Sequence, residues 1–244
     1  MGIELLILLI IFFLIVLQSI VGVGVLVIGT PILLMLNYSL IEIMGLLLPI
    51  SICTSLVNLT YLKINKKKFK IESQKDYRQL FFLICIPSIF FGLYLLKFYE
   101  QIINFKYLVS LVIIFSYFLT KKEILINKIT KGTKIFSLFL IGTIHGLTNS
   151  GGSLLSLMLS SIFNKNTSRY NITYFYFYLA LSQYLVFIFL FGLGEKLKDF
   201  YYYFFIIPIG VYLGGVMVKY FDDKIFKSII STIALLSAIV LLLM

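Results

Sequence analysis

Apolar residues run along this chain in long blocks, and polar residues collect between the blocks. Residues 3–36 form one block, too long for a single untilted span of about 20 residues. Inside it stand Gln18-Ser19, then Gly22-Val23-Gly24, then Gly29-Thr30-Pro31. This pattern predicts a helix to about Val21, a break, and a short helix from about Val25. About twelve residues at ~1.5 Å each reach only ~18 Å, a half-span. Asn37-Tyr38-Ser39 predicts a turn and residues 40–62 a second helix, with spans following at 79–96 and 107–120. The block at 135–163 is again interrupted: Thr148 to Ser153 is a run of Gly, Asn and Ser, which favours a turn. Spans are predicted after it at 170–194, 201–218 and 226–244.

The order is thus a broken segment, a long span and two more spans, twice over. Residues 1–120 read as a first repeat, 121–134 as a basic loop and 135–244 as a second repeat. A shift of 127 residues places Gln18 on His145, Gly22 on Asn149 and Gly24 on Gly151. The letters agree poorly, so the repeat is one of arrangement. Paired interruptions at corresponding positions of two halves point to a transporter binding site.

Composition sets the solvent. The chain is 61% hydrophobic and 13% charged, against about 25% charged in soluble domains. The fold class is an all-α polytopic integral membrane protein with the lipid bilayer as partner, multi-pass in the plasma or inner membrane. Met1-Gly2-Ile3-Glu4 lacks a basic n-region, so no cleaved signal peptide is expected. Cys53 and Cys85 both lie in apolar blocks and suggest neither a disulfide framework nor a metal site. The net charge of +11 does not read as a nucleic-acid footprint, because the basic residues cluster in short loops between spans. A homo-oligomer is compatible with the sequence.

The loops at 63–78 and 121–134 hold 12 of the 21 Lys and Arg residues and are expected in the cytoplasm. If each broken segment crosses once, the halves run parallel and the basic residues divide 14 inside to 7 outside. If each re-enters and returns, the halves are inverted and the division becomes 17 to 4. The inverted arrangement is preferred, with both termini outside.

Two motifs carry a resemblance. They are Gly22-Val23-Gly24 with Gly29-Thr30-Pro31-Ile32-Leu33, and His145-Gly146-Leu147-Thr148-Asn149-Ser150-Gly151-Gly152. In these, in length and in its duplicated layout, the chain resembles the sulfite exporter TauE/SafE family of membrane transporters. That family is usually richer in glycine at the breaks, and the second half here lacks its proline. The resemblance implies export or uptake of sulfite, thiosulfate or a small organosulfonate.

The residues themselves narrow the chemistry. No predicted span interior carries Asp or Glu, and every Lys and Arg falls in a loop or at a span end. Divalent-metal transport wants carboxylate, His or Cys clusters, and carboxylate proton relays want carboxylates. No cofactor and no metal are expected. What remains is backbone: a helix restarting at mid-membrane presents free N–H groups and a positive dipole end. Two restarts, near Gly24 and Gly151, facing each other across the repeat interface would suit a small anion. Gly22, Gly24, Gly151 and Gly152 would let backbone approach it closely. The supporting polar residues are Gln18, Thr54, Asn58, His145, Thr148, Asn149, Ser150 and Gln183. Each Ser or Thr has the bland alternative of bonding back to its own helix; Asn58 and Gln183, as amides inside spans, need other partners. Tyr174 to Tyr178 reads as lipid-facing or packing, and Gly210 with Gly214 as helix packing.

The reading is an exporter or facilitator of a small anion, not an enzyme. The rivals are a membrane scaffold, in which the breaks are packing kinks, and an intramembrane enzyme, which would want a nucleophile or metal beside His145. On the preferred reading, Gly151→Val should abolish flux and leave folding largely intact.

Overall fold

The computed structural model describes residues 2–64, 75–99, 131–192 and 201–243, with single helical positions at 107, 110, 111, 114, 117 and 118. The rest of the span expected at 107–120, and the centres of both basic loops, lie outside the described residues. The described elements are all helical. They are α1 (Gly2–Val21), α2 (Val25–Met35), α3 (Leu40–Ile64), α4 (Lys75–Leu80), a π turn (Phe81–Cys85) and α5 (Ile86–Tyr99). Then come α6 (Lys131–Thr148), α7 (Gly151–Ile162), α8 (Lys165–Phe191), α9 (Tyr201–Met217) with a 3-10 turn (Val218–Tyr220), and α10 (Asp223–Leu243).

Among them, five segments are long and apolar enough to cross a membrane: Glu4–Val21, Leu40–Ile64, Tyr77–Tyr99, Lys165–Phe191 and Tyr202–Tyr220. Helices α2 and α7 are apolar but too short to do so. A bilayer interior offers backbone no water, so helices with internally satisfied N–H and C=O groups are what such apolar blocks can form.

Local chemistry sets where the helices start and stop. Asn37 takes a left-handed φ of 64°, and Tyr38 N–H returns to the Leu33 carbonyl at 3.1 Å, closing α2. Ser39 and Glu42 then exchange bonds, Ser39 N–H to Glu42 Oε2 at 3.0 Å and Glu42 N–H to Ser39 Oγ at 3.3 Å, opening α3 with a capping box. Asn164 Oδ1 accepts from Thr167 N–H at 3.1 Å and starts α8 at Lys165, about a turn and a half before the span expected from residue 170. Similarly α4 begins at Lys75 and α6 at Lys131, so basic residues assigned to loops by composition belong to helix ends. The Arg78 guanidinium lies over the Tyr174 ring, 5.0 Å from its centre.

Packing relies on glycine at one seam above all. Between α5 and α6, a Cβ added at Gly142 would lie 2.2 Å from the Cys85 carbonyl oxygen. One added at Gly146 would lie 2.4 Å from the Ile89 carbonyl oxygen, and one at Gly92 2.3 Å from that of Thr143. The helices touch backbone to backbone, as small residues allow in membranes. Gly210 and Gly214 pack α9 against Ile15 and Ser19 of α1.

Gly142→Ala should therefore lower the thermal unfolding midpoint in detergent, by the equivalent of about 1–3 kcal/mol for overpacking. Gly45 faces only Phe187, at 3.9 Å. Gly45→Ala should raise the midpoint slightly through helix propensity, worth up to about 1 kcal/mol. Equal shifts for the two variants would contradict the seam.

Candidate functional site

Each break forces the same problem: the last carbonyls of one helix and the first N–H groups of the next lose their intrahelical partners inside the apolar region. At the first break Gly22 turns the chain with φ 97°. Its missing side chain admits Ile172 and the Thr173 backbone of α8. The chain then doubles back, since a Cβ at Gly24 would lie 2.9 Å from Gln18 N and 3.2 Å from the Leu14 carbonyl oxygen. Gln18 caps the restart: its Oε1 accepts from Val25 N–H at 3.1 Å. Its Nε2 donates to the Ser51 carbonyl at 3.0 Å and to Ser55 Oγ at 3.0 Å, tying the break to α3. On the other side, the Ser19 carbonyl accepts from Arg169 Nε at 2.8 Å and from Asn58 Nδ2 at 3.4 Å. Arg169 Nη2 also donates to Asn58 Oδ1 at 3.2 Å.

The second break uses Asn149, which takes a left-handed φ of 64°, a conformation Asn tolerates. Gln183 Nε2 donates to Asn149 Oδ1 at 2.8 Å and to the His145 carbonyl at 3.0 Å. Asn149 Nδ2 donates to Thr30 Oγ1 at 3.0 Å, so the second break is bonded to the short helix that follows the first. Thr148 bonds back to Ile144, and Ser150 to the Thr148 carbonyl, so these hydroxyls follow the bland alternative. A Cβ at Gly151 would lie 2.3 Å from the Ile141 carbonyl oxygen and 2.8 Å from His145 N. Gly151 thus admits the neighbouring helix, and valine there would break the fold. The expectation that Gly151→Val leaves folding intact is corrected.

The two helix starts meet at Tyr176. A Cβ at Gly152, in the first turn of α7, would lie 2.4 Å from the Tyr176 ring and 3.2 Å from Val27 Cγ2, in the first turn of α2. The ring is fully buried and stands edge to face with His145, centres 5.9 Å apart. The run expected to face lipid or merely pack therefore splits: Tyr174 and Tyr178 are partly exposed, and Tyr176 turns inward. Around this point lie buried polar atoms with no hydrogen-bond partner. They include both nitrogens of His145, the Tyr176 hydroxyl and Gln183 Oε1, and on α3 Thr54 Oγ1. Buried polar groups are seldom left so.

The structure brings together Gln18, Gly24, His145, Asn149, Gly152 and Gln183. It places Asn58 and Gly22 against Thr173 and Ile172 of α8, about one helical turn from Tyr176, with Asn58 reaching on to Arg169. Two residues were missed from sequence. Arg169 is not a loop cation at a span end; it is 3% exposed, and its bonds go to a carbonyl and an amide. Its signal was the Asn164 cap, which moves the helix start upstream. Tyr176 shares a helical face with Arg169, Thr173 and Gln183, all buried.

Among the described residues, five helices long and apolar enough to cross a membrane, together with two short apolar helices, mark the class as a multi-pass membrane protein. The family model described as sulfite exporter TauE/SafE matches residues 7–243, and the chain belongs to that family, one of membrane transporters. No curated protein and no solved structure matches the chain.

Because Arg169 covers the Ser19 carbonyl, Arg169→Met should uncover buried acceptors and cost about 1–3 kcal/mol of stability. Arg169→Lys, which keeps the charge and one donor, should cost less. Thermal unfolding in detergent reads both, and a wild-type midpoint for Arg169→Met would show the cap to be idle.

Proposed function

We propose that this chain exports or facilitates movement of a small sulfur-containing anion, such as sulfite or an organosulfonate, bound between the helix starts at Gly24 and Gly151. The observation that carries the reading is the group of partnerless buried polar atoms beside two helix N-termini. By helix geometry the amides of Leu26, Val27, Gly151 and Gly152 have no partner within their own helices. They present the positive ends of two dipoles, which suit an anion. Gln18, Thr54, Asn58, His145, Thr148, Asn149, Ser150 and Gln183 supply or brace the polar wall, and Gly22 and Gly152 hold the breaks open to their neighbours. An anion leaving a negative interior gains about 2.3 kcal/mol per charge per 100 mV, so export needs no coupling ion. The family match supports this substrate class.

We further read residues 1–120 and 135–244 as inverted repeats, with each broken segment re-entrant. The 17 to 4 division of basic residues supports this, as does the doubling back at Gly24 onto Leu14 and at Gly151 onto Ile141. With Cys53 and Cys85 replaced by Ser, a cysteine at Asn166 should label from the cytoplasm and one at Leu197 from outside. Cytoplasmic labelling at 197 would mean parallel halves.

In proteoliposomes, sulfite flux should be saturable and absent from protein-free vesicles; lack of flux would leave the scaffold reading. His145 is a titratable group at the second break that can carry a positive charge. A proton on the imidazole and an anion beside it strengthen each other's binding. Affinity for methanesulfonate, whose charge is constant, should therefore rise as pH falls. In His145→Gln the slope should flatten; identical slopes would make His145 structural.

A further inference from the structure

The Tyr176 hydroxyl is directed at the start of α2. Its oxygen makes weak contacts, short of full hydrogen bonds, with the backbone N–H groups of Gly24, Leu26 and Val27 and with the Ser51 hydroxyl. Val25 N–H is taken by Gln18, and Ile28 N–H by the Gly24 carbonyl at 2.9 Å. The amides left over by the helix are thus the ones the phenol oxygen faces. The ring behind that oxygen fills the gap between the first turns of α2 and α7. His145 closes the other side of the ring, with both nitrogens unpartnered.

We propose that Tyr176 is the specificity-determining residue of the site: its hydroxyl oxygen holds the place of one anion oxygen at the α2 amides and is displaced when an anion binds. This rests on the anion reading above. A neutral phenol oxygen in that place sets a threshold. Charge-assisted hydrogen bonds are roughly twice as strong as neutral ones, so against the same cost of moving the phenol an oxyanion gains more at these amides than a neutral carbonyl or hydroxyl solute does. Selection against neutral solutes thereby follows without a cation touching the substrate. The apparent affinity is the intrinsic one reduced by the fraction of molecules whose cradle is free.

Tyr176→Phe keeps the ring and removes the stand-in oxygen. In proteoliposomes it should lower KM for sulfite by about threefold or more. A raised KM would make the hydroxyl a direct ligand of the bound anion, and an unchanged KM would make it a packing group; either overturns the proposal. A second readout does not depend on sulfite. With Cys53 and Cys85 replaced by Ser, Val27→Cys places a thiol in the first turn of α2, beside Gly152 as the ring is. Its modification by ethylsulfonate methanethiosulfonate, itself a sulfonate anion, should speed up at least threefold when Tyr176→Phe is added. An unchanged rate overturns the proposal even if wild-type protein carries no sulfite, whereas absent sulfite flux with accelerated labelling counts against the substrate reading alone. Tyr176→Met replaces the Phe variant if that one does not fold. Failure of both to give monodisperse protein assigns Tyr176 to packing and overturns the proposal.

Discussion

Unsatisfied backbone is the constraint on which this structure turns. A helix inside hydrocarbon satisfies itself, and a broken helix does not. Two breaks therefore expose carbonyls and amides that only side chains from neighbouring helices can reach. Gln18 covers the first amide of α2, Arg169 and Asn58 cover a last carbonyl of α1, and Gln183 covers the His145 carbonyl of α6. The amide side chains that looked expensive as isolated polar residues in apolar spans are the compensation for the breaks. Helices α3 and α8 hold the two broken segments because they carry these groups, Ser51, Ser55 and Asn58 on one and Arg169, Thr173 and Gln183 on the other.

The coverage is uneven, and the unevenness has a direction. Carbonyl ends are capped by donors, including a buried guanidinium that meets neutral acceptors. At the amide ends Gln18 covers one N–H, and a phenol oxygen contacts the next only weakly. The balance leaves donors in excess at the starts of α2 and α7. A water-filled site would dissipate that excess through screening; burial keeps it, because charge and dipole interactions are stronger at low effective dielectric. On the proposed reading this is why an anion site can be built with no carboxylate relay and no cation in contact with the ligand.

Most of the helix order was legible because hydrocarbon tolerates few alternatives: a long apolar block must be helix, and Gly-rich interruptions must break it. The breaks at Gly22 and Asn149 were legible from residue type, since left-handed backbone there suits Gly and Asn. What sequence hid was direction. Tyr176 lies in an aromatic run where Tyr174 and Tyr178 stay partly exposed and Phe175 packs against Tyr77 and Phe81, and only the helical phase set by Arg169, Thr173 and Gln183 shows that Tyr176 turns toward the breaks. Arg169 was hidden because hydropathy marks where a span becomes apolar, whereas the helix starts at its cap, Asn164. Gly151 was read as making room for a ligand, and the structure also sets the backbone of α6 close against it. Glycine's smallness is visible in a sequence; the thing that approaches it is not.

Both breaks are also tied to each other, and this shapes how the site could open. Asn149 bonds Thr30 of α2, so the start of the second short helix is anchored to the body of the first. Gln183 holds Asn149 from α8, the helix that also carries Tyr176. A movement of α8 that withdraws the Tyr176 ring would therefore strain the Gln183–Asn149 bond, while Arg169 pins the far end of α8 to Ser19. Rotation of the Tyr176 side chain leaves the Gln183–Asn149 and Arg169–Ser19 bonds in place and gives up only the weak contacts of its hydroxyl. On the proposed reading, freeing the α2 amides therefore calls for movement of this side chain rather than of α8, and the partnerless His145 nitrogens beside the ring offer the displaced hydroxyl a polar neighbour.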